Sequence, residues 1–434
     1  MKIKNIGASS AILESNGKRI LFDPWLDDPI VYGSFFHWPP LKMSVSDIGK
    51  IDYVYISHIH EDHCSPKTIK HLNKDAEIIL MDREPKISNY VKNFLKFNNF
   101  EFKKIHLIKP YTKKKISENL EVSFVEADEN HIYNYMIDSG IIIKMDDVVV
   151  YNANDCSPCD KAIKYIKDNY KKIDLALLPF CGGSGYPNCY TNLSHEEKMI
   201  EAKRIKSQTY ETFRKTAKEL MPKWTMPFAD QFVIGGKNSD LNKYSPHPPS
   251  PQDLKNYFKN KENINFLLLN SGQTFDFKTE TKAPNEDFIV YSEKDREKYI
   301  NKLSNVTKYD HEHFELSSSI SVYRLVEYAS KRMFSMQDKY KYFPEWKILF
   351  EINKKNGTSY YLIDLKNKKV SEIESKNNLK EPYLIMSMTR NFFILLLLGH
   401  ISYNMCDGAF FINYTRVPNK YEPKLYTFLN FFRI

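Results

Sequence analysis

The chain has 434 residues, longer than one typical domain, and 42% hydrophobic with 27% charged residues is ordinary for a folded globular protein. Its net charge of +9 comes from Lys scattered along the chain in short blocks such as Lys113-Lys114-Lys115, which favours an anionic small-molecule substrate or an acidic partner. There is no zinc-finger or RNP signature for nucleic acid, no apolar leader after Met1, and no apolar run long enough for a membrane. Six Cys form no disulfide framework, so a cytoplasmic, reducing compartment is expected.

Taken in order, Ser10–Glu14 and Arg19–Phe22 flank Asn16-Gly17, which predicts a hairpin that Pro24 ends. Residues 27–45 read as a loop carrying the aromatics Phe35, Phe36 and Trp38, which either cover a pocket as exposed groups or pack beneath the loop. A strand over Tyr53–Ser57 follows, then a helix from Ser65-Pro66 to about Leu72. A short strand over Ile78–Leu80 and a helix over Lys86–Phe97 come next. The strand Leu120–Val125 leads to Asp128-Glu129-Asn130-His131. A hairpin over Ser139–Met145 and Val148–Tyr151 ends at Asn152-Ala153-Asn154-Asp155, and Leu175–Phe180 runs into Gly182-Gly183-Ser184-Gly185. Backbone N–H groups of that Gly-rich loop are suited to cradle a phosphate or carboxylate of a substrate. Ser194-x-x-Glu197 is a capping box opening a helix that Pro222 closes, and Lys223–Pro227 is a strand leading to Phe228-Ala229-Asp230. Beyond about residue 285 strands over Leu349–Ile352, Tyr360–Ile363 and Tyr383–Met388 and an apolar helix over Thr389–His400 suggest a second, α+β unit. The expected domains are therefore 1–285 and 286–434.

The most informative stretch is His58-Ile59-His60-Glu61-Asp62-His63, directly after the apolar strand Val54-Tyr55-Ile56. His58 and His60 are two apart, so on extended backbone both rings project to one face. The chain must then turn, and Asp62 and His63 can swing toward a second point. Imidazole with a hard carboxylate oxygen suits iron, zinc or manganese far better than calcium. Cys156-Ser157-Pro158-Cys159 is a single C-x-x-C and cannot by itself complete a four-Cys zinc site.

The order of hairpin, His-x-His-x-Asp-His, a later His and an Asp at a strand end resembles the metallo-β-lactamase superfamily. That resemblance implies two β-sheets packed face to face with helices outside, an αββα sandwich. It also implies that His58, His60 and His131 hold one metal ion, that Asp62 and His63 hold a second, and that Asp155 bridges them, with Asp62 and Asp155 also catalytic. Asn154-Asp155-Cys156-Ser157-Pro158, the run Phe180–Pro187 and Pro227–Phe232 are similar to the catalytic part of CMP-N-acetylneuraminic acid hydroxylases, as is the C-terminal region with Tyr403-Asn404-Met405 and Phe410-Phe411. The activity so implied is a dinuclear metal-dependent oxygenase, with iron favoured over zinc or manganese, hydroxylating an anionic metabolite such as a nucleotide-activated sugar. A metal-dependent hydrolase of an ester, amide or phosphodiester is the alternative, and a non-catalytic metal-stabilised binding protein a third. Two departures stand out. Those hydroxylases carry a Rieske domain whose Cys and His ligands have no counterpart here, so a separate ferredoxin or Rieske-type electron donor is expected. Hydrolases of the superfamily place a His after the strand that here ends in Ala229 and Asp230, leaving Asp230 or His247 as possible additional ligands.

Overall fold

The computed structural model describes residues 1–83, 89–127, 139–229, 231–305 and 308–434. Period-2 patterning builds its first sheet. In Lys18–Phe22, Ile20 and Phe22 point to one face and Leu21 to the other, and both faces are buried. This sheet has eight strands, ordered Thr281–Ala283, Thr274–Asp276, Lys2–Gly7, Ser10–Ser15, Lys18–Phe22, Tyr53–Tyr55, Glu77–Met81 and Lys104–Ile108. It is antiparallel up to Lys18–Phe22 and parallel beyond it. A second sheet of six strands runs Trp224–Phe228, Leu175–Pro179, Val148–Asn152, Ser139–Met145, Leu120–Glu126 and Lys113–Ser117.

The two sheets close on a shared apolar layer. Leu13, Phe22 and Tyr55 from the first meet Phe124, Ile141 and Leu177 from the second, all fully buried. Outside the second sheet, the apolar stripes of Asp160–Asn169, His195–Leu220 and Pro251–Phe258 cover Ile142, Tyr151 and Leu178. Outside the first, Tyr90–Phe97 and the short helix Pro66–Ile69 cover Leu21, Val54 and Ile78. The expected αββα sandwich is therefore present, and the capping box of Ser194 and Glu197 starts its longest helix.

The third sheet, Lys369–Ile373, Gly357–Asp364, Lys347–Lys354, Tyr383–Thr389 and Asn413–Val417, is mixed and packs against Val322–Tyr340, Arg390–Leu397 and Pro423–Leu429. Its core is continuous with Trp25, Phe35, Tyr190 and Phe232 from the sandwich side. Main-chain bonds reinforce the join, with Thr191 N–H donating to the Tyr414 carbonyl at 2.7 Å and Tyr414 N–H to Cys189 at 2.9 Å.

Of the two readings of the aromatics between 27 and 45, exposed lid or packed, the second holds. Phe35–His37 is a strand paired with Phe232–Ile234, and Phe35, Phe36 and Trp38 are buried. Apolar side chains of a loop gain more by covering a neighbouring core than by lidding a wet cavity. The helix beginning at Pro66 stops at Ile69, short of Leu72, and the apolar C-terminal helix spans only Arg390–Leu397. Among the described residues, no helix is long and apolar enough to cross a membrane.

Candidate metal centre

Parallel pairing of Lys18–Phe22 with Tyr53–Tyr55 brings two strand ends to one edge, where Phe22 lies opposite Tyr55. The residues that follow each strand must therefore meet. Asp23 turns in a left-handed conformation (φ 39°), which a short polar residue tolerates, and its N–H donates to the Tyr55 carbonyl. Its carboxylate then faces Ser57 and His63. The second sheet delivers its own edge. Val148–Asn152 runs parallel to Leu175–Pro179, and Asp155 lies three residues past the strand end. Asn154, also left-handed and fully buried, donates to the Tyr55 hydroxyl and the Ser139 carbonyl, both at 2.7 Å, which fixes the loop carrying Asp155.

Two groups of potential ligands result, His58–His60–Asp155 and Asp62–His63–Asp155, with all ligand atoms in each within 4.8 Å of one another. His58 Nε2 lies 2.7 Å from His60 Nδ1 and 3.7 Å from Asp155 Oδ2. His63 Nε2 lies 3.0 Å from Asp155 Oδ1 and 3.6 Å from Asp62 Oδ2. Ligands ~2.1 Å from one ion sit roughly 3–3.5 Å apart, which these separations approach. His63 Nε2 and Asp155 Oδ1 are buried, face each other at 3.0 Å and have no other hydrogen-bond partner, as expected of atoms that would share a cation. Asp155 takes part in both groups, the position a bridging ligand needs.

The surrounding bonds fix which nitrogens are available. A carboxylate only accepts, so the 2.9 Å contact from His63 Nδ1 to Asp23 Oδ2 is an Nδ1–H donor bond and leaves Nε2 for a metal. Ser57 Oγ donates to Asp23 Oδ2 at 2.9 Å and lies 2.9 Å from His58 Nδ1, so that His58 Nε2 too is left with its lone pair. His60 is turned the other way. Its Nε2 lies 2.6 Å from the side-chain amide of Asn404, and its Nδ1 faces His58. Such outer partners orient the ligands of metal sites.

Burial first, and then His63, holds the His58 imidazole well below its usual pKa and keeps it neutral. Burial raises the Asp62 carboxyl to about 7; His63 opposes that rise and Asp155 adds to it. For His63 burial alone would lower the pKa, but Asp155, Asp62 and Asp23 overcome it and hold the ring protonated. A divalent cation relieves this arrangement by taking the place of that proton among the carboxylates.

His131 and Asp230 lie outside the described residues. His247 belongs to neither group: its Nε2 is 2.7 Å from the Gly182 carbonyl and its ring packs on Phe232. Gly182, Gly183 and Ser184 line a cavity of about 890 Å³, whereas the Gly185 N–H donates to Asp407 Oδ2 at 3.3 Å. A Cβ on Gly185 would meet the Asp407 carbonyl at 2.7 Å, so glycine is required for the loop to approach this closely. None of the candidate ligands lines the cavity, which adjoins them through Asn404, the partner of His60, and Cys156, next in sequence to Asp155, while its far wall comes from the C-terminal sheet and helices. Asp23, Ser57 and Asn404 are not foreseen as site residues from the sequence. An Asp-Pro at a strand end was the one signal for Asp23. Asn404, 344 residues from His60, stands in the run Tyr403-Asn404-Met405 that resembles the hydroxylases, a signal that does not extend to its contact with His60.

Residues 18–197 match the family model of the β-lactamase superfamily domain. A protein of Mycolicibacterium smegmatis, named as a candidate Rieske 2Fe-2S iron–sulfur protein, is 26% identical over 232 residues, 53% of this chain and 43% of that protein. The cytidine monophosphate-N-acetylneuraminic acid hydroxylase of Cricetulus griseus is 27% identical over 286 residues, 63% of this chain and 48% of that enzyme. Each match thus spans less than half the length of the relative. Among solved structures, CmlA, a diiron β-hydroxylase from Streptomyces venezuelae, is similar with a TM-score of 0.42 and 13% identity, over 62% of this chain and 52% of that one. Residues 18–197 thus match a β-lactamase superfamily domain, and this segment, with its His-x-His-x-Asp-His run at the sheet edge, lies in the αββα sandwich.

Proposed function

We propose that this chain is a dinuclear metal-dependent oxygenase that hydroxylates an anionic metabolite such as a nucleotide-activated sugar. The observation that carries the metal pair is Asp155, shared by two ligand groups beside a cavity large enough for such a substrate. Oxygenase rather than hydrolase chemistry is supported by the hydroxylase relatives, whose similarity covers 63% of the chain. A pair of divalent ions, iron suiting imidazole and carboxylate donors, would supply the activation of O2.

The chain's own residues do the positioning. His58, His60, Asp62, His63 and Asp155 would hold the ions, joined by His131 in the reading from the superfamily. Asp23 and Ser57 keep protons on the two Nδ1 atoms, and the amide of Asn404 steadies His60 from the cavity side. Inserting one oxygen atom from O2 consumes two electrons from outside the substrate. We assign these to a ferredoxin or Rieske-type donor, a reading in keeping with the Rieske name of one relative and with a net charge of +9 that favours an acidic partner. A cytoplasmic location is part of the same proposal.

The test is single turnover. Protein loaded anaerobically with Fe(II) and reduced is mixed with nucleotide sugars and O2, and the product is weighed by mass spectrometry. A gain of one oxygen atom is expected. Cleavage of an ester, amide or phosphodiester by zinc-loaded protein without O2 would instead establish the hydrolase, which the same two ligand groups also serve.

A further inference from the structure

The cavity next to the metal-ligand groups is lined by a buried guanidinium that no carboxylate among the described residues contacts. Arg416, in the strand Asn413–Val417, is 3% exposed and lines this cavity. Its guanidinium carbon lies 4.8 Å from the ring centre of Tyr186 and 4.9 Å from that of Tyr190, so it is held over two aromatic faces. One terminal nitrogen donates to the Tyr426 hydroxyl at 3.1 Å and the other to Asn419 Oδ1 at 2.8 Å, both neutral acceptors. Its Nε is buried with no hydrogen-bond partner. Two of the five N–H groups of the fork are therefore committed, and among the described residues no carboxylate lies within ion-pair distance.

The two carboxylates of the same cavity are engaged elsewhere. Glu201 accepts from Arg204 at 2.6–3.0 Å and from the Tyr186 hydroxyl at 2.8 Å. Asp407 accepts from Gly185 N–H and from the Ser184 hydroxyl, both at 3.3 Å. A buried guanidinium is expensive unless something ionised completes it, and a flat fork matches the two oxygens of a phosphate or carboxylate. Of the other charged groups lining the cavity, Glu201 pairs with Arg204, whereas Asp407 is held by neutral donors and feels Arg416 only through space.

We propose that Arg416 binds an oxyanion of the substrate, phosphate or carboxylate, so that the C-terminal unit anchors the molecule whose other end faces the metal-ligand groups. This rests on the reading that the cavity beside those groups receives an anionic substrate. Asn419 holds the fork in place, and Tyr186 and Tyr190 set its plane.

The experiment titrates metal-loaded, full-length protein calorimetrically at low salt with cytidine 5′-monophosphate, N-acetylneuraminic acid and uncharged cytidine. In wild type at least one charged probe should bind more tightly than cytidine, and which one distinguishes phosphate from carboxylate. Arg416→Gln should weaken that probe by about ten- to a hundredfold, the range of a lost charged hydrogen bond, leaving cytidine and metal content unchanged. Asn419→Asp, which leaves the arginine in place but gives it an internal counter-ion, should weaken the same probe even if Arg416→Gln folds poorly. Failure of wild type to prefer either charged probe overturns the proposal. So does binding by both variants within twofold of wild type. A protein that obeys these titrations yet inserts no oxygen would refute the oxygenase reading alone.

Discussion

Asp23 offers the sharpest test of the candidate metal centre, because it touches no proposed ion yet holds two of the ligands. Its carboxylate is fully buried and accepts from Ser57 N–H at 2.7 Å, Ser57 Oγ at 2.9 Å and His63 Nδ1 at 2.9 Å. Asp23→Asn keeps the shape but replaces one acceptor oxygen with a donor, so at least one of these three donors loses its acceptor. If it is the His63 Nδ1–H, the ring is free to turn and its Nε2 is no longer aimed at Asp155. A hydrogen bond to a charged group contributes about 1.5–3 kcal/mol, which corresponds to roughly ten- to a hundredfold in metal affinity. Carboxylates that accept the far ring N–H of metal-bound histidines affect metal affinity over about the same range. The loss should fall mainly on the Asp62–His63–Asp155 group, since Asp23 reaches His58 only through Ser57. Competition titration against a chelator of known affinity, following both ions, would resolve this. If both ions bind the variant within twofold of their wild-type affinities, Asp23 does not orient His63 for metal.

Asn404→Ala should weaken metal at the His58–His60–Asp155 group about tenfold, read by the same titration, with little change in thermal unfolding because the amide is only partly buried. His247, buried and held down to about 4, binds its proton more readily in the unfolded chain than in the folded one. Stability should therefore be complete above about pH 6.5 and fall by roughly 3 kcal/mol on acidification to pH 4, below which this contribution stops changing. Chemical denaturation across pH should show His247→Gln with a flatter profile over that window. Limited proteolysis should cut first in the exposed segment 278–287, in keeping with a proposed boundary near residue 285. The nicked halves should nevertheless co-elute, because Trp25, Phe35 and Tyr190 share a core with the C-terminal sheet.

Much of this protein is set by neighbours in sequence. The period-2 alternation of Ile20, Leu21 and Phe22, the Asn16-Gly17 turn and the capping box of Ser194 and Glu197 each act over a few residues, so they can be read directly. The same is true of His58, His60, Asp62 and His63, because one extended segment and one turn suffice to aim them at two points. What the tertiary structure alone decides is which distant polar groups complete the local ones. Parallel strand pairing brings Asp23 to His63, and the C-terminal unit brings Asn404 to His60 and Arg416 into the cavity wall. Burial is undetermined locally for the same reason: Phe35, Phe36 and Trp38 have the composition of either a lid or a core, and only the strand Phe232–Ile234 packing across them settles it. A hydrogen bond or an apolar contact depends on distance in space, and between remote segments that distance is fixed only when the sheets have closed.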